Sequence, residues 1–377
     1  MFLIQRLIGV SIYALCLAWF CLCITKIKGL RIHLWAYCFA LALMGFFYVP
    51  LSGSDLGRVQ NAMMYYAGCT WPELVQEMLG SSSPLAVLYY RIISIFGDKR
   101  MLPFMTALLT YLLCFSMLID CRKRFDSRKK DISLVLLFFM SRGLLMMTIA
   151  NIRTMLSISI ACYAIYAYFV RNKSLIWCMM IMIIGALIHN VGMLGALLFL
   201  GYYVISGASG RKRFVTILQS MVLIPAIVVY GGTFISRAAE KGLTYLSYTD
   251  GFFYIWEMLL SIAVIIMTFI AILTRRKSVQ QHGPVGQART CPYHGLMRFQ
   301  ASVAVVSLAL LFVEFNSGYR LSWATTILDM PMLLIILGDE CVSPARAEKL
   351  RKTLFLVSIV MLFVACSRGD LCSLKFS

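Results

Sequence analysis

Asn151-Ile152-Arg153-Thr154 and Ala186-Leu187-Ile188-His189-Asn190 place an arginine and a histidine at the ends of apolar runs. An ionisable group held at a membrane is costly, so it marks function by default. Arg153 opens a helix, where free N–H groups and the positive end of the dipole attract an anion. A cation added there makes electrostatic sense when an anion visits. Asn151 precedes it, and Arg142, in Ser141-Arg142-Gly143, can face the same compartment. His189, neutral near pH 7, can take a proton from a hydroxyl. In Gly53-Ser54-Asp55-Leu56-Gly57-Arg58, an aspartate and an arginine three apart can pair across one helical turn. Asp55 could equally orient the arginine or bind a sugar hydroxyl. Glu314 and Arg320 set an acid and a base on another turn.

Each position has a plainer reading: a snorkelling arginine, a helix cap, a surface ion pair, a histidine bonded to a carbonyl. The joint pattern is Arg58, Arg142, Arg153, His189 and Arg320 from five segments on one side. Snorkelling explains each arginine separately but not a histidine at a helix break. Planar guanidinium groups grip phosphate in pairs of hydrogen bonds. The expected ligand is therefore a pyrophosphate whose charge the arginines neutralise as it leaves. No Asp-x-Asp motif is present, so no metal and no cofactor is expected. Cys291 and His294 lack the further ligands of a zinc site.

The elements that must hold these residues are membrane helices. The chain has 377 residues and is 61% hydrophobic, well above the soluble norm of about 45–50%. Its mean hydropathy is +0.83. The apolar residues come in blocks about 20 long, the bilayer length, which predicts an all-α, polytopic membrane bundle forming one domain over residues 1–377. The formal charge of +19 is scattered over short loops, not gathered on one face, which excludes nucleic acid. The 13 cysteines lie mostly within apolar spans and read as small buried hydrophobes.

The positive-inside rule orients about 12 crossings, with both termini outside. Leu3–Ile24 reads as a retained first helix. Leu51–Ser83 is an expected external loop. Pro84–Phe96 is too short to span and is expected to be re-entrant or interfacial. Ile132–Ala150 reads as one outward span. Ser174–Ser206 would make one helix of about 50 Å at about 1.5 Å per residue, against a hydrocarbon core of about 30 Å. With basic residues at both flanks, it is expected to fold as a hairpin broken near His189-Asn190-Val191-Gly192. A further span, Phe214–Gly232, leads to an external loop, Thr233–Gly251. The expected cytoplasmic loops are residues 121–131, 275–297 and 338–352. Arginine outnumbers lysine more strongly in the expected outer set than in the inner one, which suits anion recognition.

These residues resemble the EpsG family of Wzy-like polysaccharide polymerases. Asp55…Arg58 stands where the family has an aspartate followed by a basic or aromatic residue after the second helix. Asn151-Ile152-Arg153-Thr154-Met155-Leu156-Ser157 stands for the family's Asn-x-x-Arg-Gln-x-Leu-Ala, with one residue fewer between Asn and Arg, Thr for Gln and Ser for Ala. Ile188-His189 matches its Phe-His pair and Tyr319-Arg320 its Tyr-Arg. Ser81-Ser82-Ser83-Pro84 replaces its usual glutamate. The resemblance implies a Wzy/GT-C-like membrane enzyme at the outer face of the bacterial inner membrane. It would polymerise oligosaccharide repeat units carried on undecaprenyl pyrophosphate, for capsule, exopolysaccharide or O-antigen. The implied partners are the lipid-linked oligosaccharide, the bilayer, and the pathway's flippase and chain-length regulator. Two rivals share the layout: a ligase that transfers to another acceptor, and a transporter of the lipid-linked unit. A transporter favours inverted repeats and charges at mid-depth, and the sequence shows neither.

Overall fold

The computed structural model describes residues 2–26, 29–50, 54–125, 127–206, 251–281 and 293–367. Among these the secondary structure is helical, with no strand. The helices are α1 (Phe2–Lys26), α2 (Leu30–Phe46), α3 (Asp55–Gly68), α4 (Trp71–Gly80), α5 (Pro84–Ser94), α6 (Met101–Phe125), α7 (Lys129–Ser141), α8 (Leu144–Ala150), α9 (Ile152–Phe169), α10 (Leu175–Ile188), α11 (Asn190–Ser206), α12 (Gly251–Gln281), α13 (His294–Val313), α14 (Phe315–Leu337) and α15 (Pro344–Ser367). The Phe214–Gly232 span, nearly all of the Thr233–Gly251 loop, Cys291 and the C-terminal ten residues lie outside the described residues.

Among the described residues, five helices are long and apolar enough to cross a bilayer: Met101–Phe125, Ile152–Phe169, Ile255–Ser278, His294–Phe312 and Phe315–Leu337. The pair α7 and α8, bent by 50°, makes a possible sixth, and Ser11–Thr25, Leu30–Phe46, Leu175–Ile188 and Asn190–Val204 are shorter apolar helices. The multi-pass membrane class is thus carried by the helices. The count of about twelve crossings is not reached by length and apolarity among the described residues.

The bundle has two polar ends. At one, Arg124 and Arg171 share Asp120 Oδ2 at 2.9 and 3.0 Å, Arg275 pairs with Asp339 at 2.7 Å, and Arg351 pairs with Asp131 at 2.6 Å. These bonds tie α6 to the chain just past α9, the last part of α12 to the chain just past α14, and α7 to α15. We call it the Asp120 end. The opposite, His189 end carries α3, α4, α5 and the α9 start. Between the ends, Asp329 of α14 accepts from Thr268 of α12 and from Gln300 of α13, each at 2.8 Å. The Gln300 amide also reaches the Thr325 carbonyl at 2.8 Å. One buried carboxylate thus joins three helices with its oxygens hydrogen-bonded, as a sealed polar group must be.

Two expectations change at the His189 end. Leu51–Ser83 is not a loop over its described residues, which begin at Ser54, but mostly two helices. Ser54 Oγ accepts from the Gly57 N–H at 3.3 Å and starts α3. Glu73 accepts from the Thr70 N–H at 2.8 Å, with Pro72 in the first turn, and starts α4. These are helix-start signals of the capping type. Ile132–Ala150 is not one straight span: it breaks at Arg142-Gly143. Gly143 has φ +73°, a conformation a β-carbon disfavours. Helix α5 is short, as expected, and leaves Ile95 and Phe96 exposed just past its end.

Candidate functional site

The site is built around the break at His189. Its backbone is extended (φ −161°, ψ 143°), between the end of α10 and the start of α11. Helix α10 runs against α9: the Trp177 ring lies 6.4 Å from Tyr163, tilted by 58°, and Gly185 packs on Ser157. Helix α11 returns along the same helix, with Gly195 on Ala161 and Phe199 5.9 Å from Phe169. The segment is therefore a hairpin. Small residues permit the close approach. A β-carbon on Gly192 would stand 2.6 Å from the Gly185 backbone. Ser157 Oγ donates toward the Gly185 carbonyl at 2.7 Å and the His189 carbonyl at 3.2 Å, which pins the end of α10 to α9.

The His189 ring is held on both sides. The Val191 N–H donates to Nδ1 at 3.2 Å. An accepting Nδ1 leaves the proton of the neutral ring on Nε2. That nitrogen lies 3.5 Å from Thr154 Oγ1. Thr154 and Ser157, the two residues that differ from the family pattern in α9, thus both touch the break.

Arg153 lies in the first turn of α9. Asn151, at the cap, makes no side-chain cap; its amide instead points at Met147 Sδ, 3.8 Å away. The free N–H groups of the first turn are left without a protein acceptor from that side chain. Arg153 is partly buried and has no hydrogen bond or ion pair among the described residues. It lies within electrostatic reach of the Tyr66 and Tyr90 phenols, and Asp55 reaches the same Tyr90. The two tyrosine rings stack at 6.4 Å. Arg153 thus lies next to Thr154, which touches His189, and along this rim it shares the Tyr90 phenol with Asp55 at electrostatic range.

Arg320 also meets no carboxylate among the described residues. Its guanidinium sits 5.9 Å from the Tyr319 ring centroid, and its Nε is buried with no acceptor. It lines a narrow crevice with Val191 and Gly195 of α11 and Ile158 and Ala161 of α9, on the hairpin next to His189. Glu314 does not pair with it. Glu314 Oε2 accepts from the Ser317 N–H at 2.6 Å and caps α14.

Arg142 is placed differently from the expectation that it faces an outer cavity. The bend at Gly143 turns it into the protein, where it and Glu257 of α12 pair at 2.6 Å, both side chains 0% exposed. Ser261 and Ser322 accept from it at 3.1 and 3.2 Å. Glu257, unmarked in the sequence reading, supplies the charge that lets an arginine be buried; a lone carboxylate in an apolar run was the available signal. Arg58 and Asp55 pair at 3.0 Å on the surface, 73% and 44% exposed. Such a pair contributes under about 1 kcal/mol, so Asp55 can exchange Arg58 for another partner at little cost.

No group of three metal-ligating side chains converges among the described residues. What the rim can do is receive an anion at Arg153 and Arg320, and move a proton at Asp55 or His189. The EpsG family model matches residues 85–370, a stretch that holds Arg142, Asn151, Arg153, His189, Glu314 and Arg320 and starts after Asp55 and Arg58. No curated protein matches the chain, and no solved structure does. With most of its length matched, its apolar helices and its arginine-flanked histidine break, the chain belongs to the EpsG family, membrane proteins of the polysaccharide-polymerase type.

Proposed function

We propose that this chain polymerises oligosaccharide repeat units carried on undecaprenyl pyrophosphate, at the outer face of the bacterial inner membrane. The product would be a capsule, exopolysaccharide or O-antigen chain. In this reading the His189 end faces outward, both termini lie outside, and the shorter apolar helices help complete about twelve crossings. The flippase and chain-length regulator of the same pathway are its expected partners.

The observation that carries the reading is the pair of unpartnered cations. Arg153 and Arg320 come from α9 and α14 and flank the hairpin break, and among the described residues neither has a carboxylate. A membrane-embedded arginine left without a counter-charge is expensive, and a visiting pyrophosphate supplies four phosphate oxygens' worth of acceptors. The acceptor sugar hydroxyl attacks the donor's anomeric carbon. The bond from that carbon to the pyrophosphate oxygen breaks, and the two arginines take up the leaving charge. Asp55 receives the hydroxyl proton. His189, with its proton on Nε2, donates a hydrogen bond to the leaving side rather than accepting one. Asn151 leaves the α9 N-terminus open to the anion. Arg142 acts one step away, by fixing the bend that aims α8 into Asn151 and Arg153.

The test is the length profile of surface polysaccharide in a deletion strain complemented with wild type or with Arg153→Ala. Collapse to single repeat units, rescued by wild type alone, is the expected result. A normal ladder in the deletion strain would remove the polymerase reading, and a normal ladder from the mutant would remove Arg153 from the mechanism.

A further inference from the structure

Beside the cation rim, between α3 and α4, lies an open cleft of about 870 Å³. Its lining is chemically the opposite of the rim. Tyr65 and Tyr66 present rings, Glu73 and Glu77 carboxylates, Gln76 an amide and Ser81 a hydroxyl. Among the described residues, no arginine or lysine lines it. Gly68 and Gly80 lie on its walls, and a β-carbon on either would meet nothing within 4 Å, so the space between the helices is open. Tyr65 donates to Glu77 Oε1 at 3.2 Å. The Glu77 carboxylate beside it raises the Tyr65 phenol above its ordinary pKa, so Tyr65 stays a neutral donor. The Thr70 backbone N–H holds Glu73 below the ordinary carboxylate range, so Glu73 stays charged.

A lining with two carboxylates and, among the described residues, no cation disfavours phosphate. It favours a ligand with many hydroxyl donors and apolar ring faces: carboxylates and amides accept from hydroxyls, and aromatic rings stack on flat apolar faces. That ligand is a carbohydrate without carboxylate groups. Tyr66 connects the cleft to the rim, since it lines the first and lies within reach of Arg153. A lipid-linked saccharide has the same division: a pyrophosphate at one end and sugars at the other.

We propose that the α3–α4 cleft is a glycan-binding site, holding neutral sugar residues of the chain whose pyrophosphate end or acceptor end is processed at Arg153 and His189. This proposal rests on the polymerase reading for its context, and its residues lie before residue 85, where the family match begins. Holding several sugars during successive transfers would keep the growing chain bound, so the cleft sets polymer length while the rim makes each bond.

The experiment uses the full-length protein in nanodiscs. The probe is the oligosaccharide freed by mild acid from the lipid-linked pool of cells lacking the protein. It carries the native sugars and no pyrophosphate. Wild type is expected to bind it. Glu77→Gln and the exposed-site change Tyr65→Ala are each expected to weaken binding about tenfold, the scale of one lost hydrogen bond to a charged group. Arg153→Ala is expected to leave binding unchanged. In cells, the two cleft variants should shorten the polysaccharide ladder without raising the single-unit pool to the deletion level. No binding by wild type, or equal binding by wild type and both cleft variants, overturns the proposal. Failure of the polymerase reading shows up elsewhere, as an unchanged ladder in the deletion strain.

Discussion

The two polar ends of the bundle treat arginine in different ways. At the Asp120 end each of four arginines meets a carboxylate: Arg124 and Arg171 at Asp120, Arg275 at Asp339, Arg351 at Asp131. Those carboxylates cross-link helices, so the charge is spent on architecture. At the His189 end the arginines divide. Arg142 is sealed against Glu257, Arg58 pairs on its own helix with Asp55, Arg100 pairs with Asp98 at 2.7 Å, Arg91 donates to the Ala67 carbonyl, and Arg153 and Arg320 meet no carboxylate among the described residues. Arginines that hold the fold bring their own acids with them. Arg153 and Arg320, which meet no carboxylate among the described residues, stand beside a broken helix and a histidine, where a substrate's charge can take the place of an acid.

The strongest way to break this comparison is at a paired arginine. Glu257→Ala strands Arg142 as a buried charge and should cost about 3–5 kcal/mol. It would appear as a lower Tm and less protein in the membrane. The double change Arg142→Met, Glu257→Leu should recover most of that loss, since apolar groups of similar volume replace a buried pair well. Arg153→Ala and Arg320→Ala should do the reverse. Each should slow polymer formation by about 10²–10³-fold with Tm and protein level unchanged. Arg153→Lys, which keeps the charge but loses the planar fork, should fall between alanine and wild type in the same turnover assay. At the hairpin, Gly192→Ala pushes a methyl into the α10 backbone, and overpacking of this kind costs about 1–3 kcal/mol. It should lower Tm and polymer yield together, which separates a geometric defect from a lost charge. Arg58→Ala is the smallest change. Thermal unfolding should show less than about 1 kcal/mol, and a larger loss would mean that the pair does more than decorate the surface.

The helical class, the hairpin and its break at His189 were legible because they follow from hydropathy, chain length and basic flanks. Arg153 at a helix start was legible for the same reason. Arg142 was misplaced because its fate depends on Glu257, far along the chain in α12, and on a bend that Gly143 makes possible. Periodicity within one segment carries no information about such a partner. Helices α3 and α4 were read as loop, although Ser54 and the Thr70–Glu73 spacing announce their starts. Their apolar faces are short, so hydropathy windows of membrane length pass over them. Thr154 and Ser157 looked like departures from a family motif; in three dimensions they hold the ring and the carbonyl of one histidine.

The most direct measurement is the affinity of purified, nanodisc-embedded protein for undecaprenyl pyrophosphate without sugar, for wild type, Arg153→Ala, Arg320→Ala and the double variant. If the unpartnered arginines receive the pyrophosphate, each single change should weaken binding about tenfold or more, as expected for charge-assisted hydrogen bonds, and the double change should abolish it. Equal affinity in all four proteins would contradict the assignment and return both arginines to the bilayer surface.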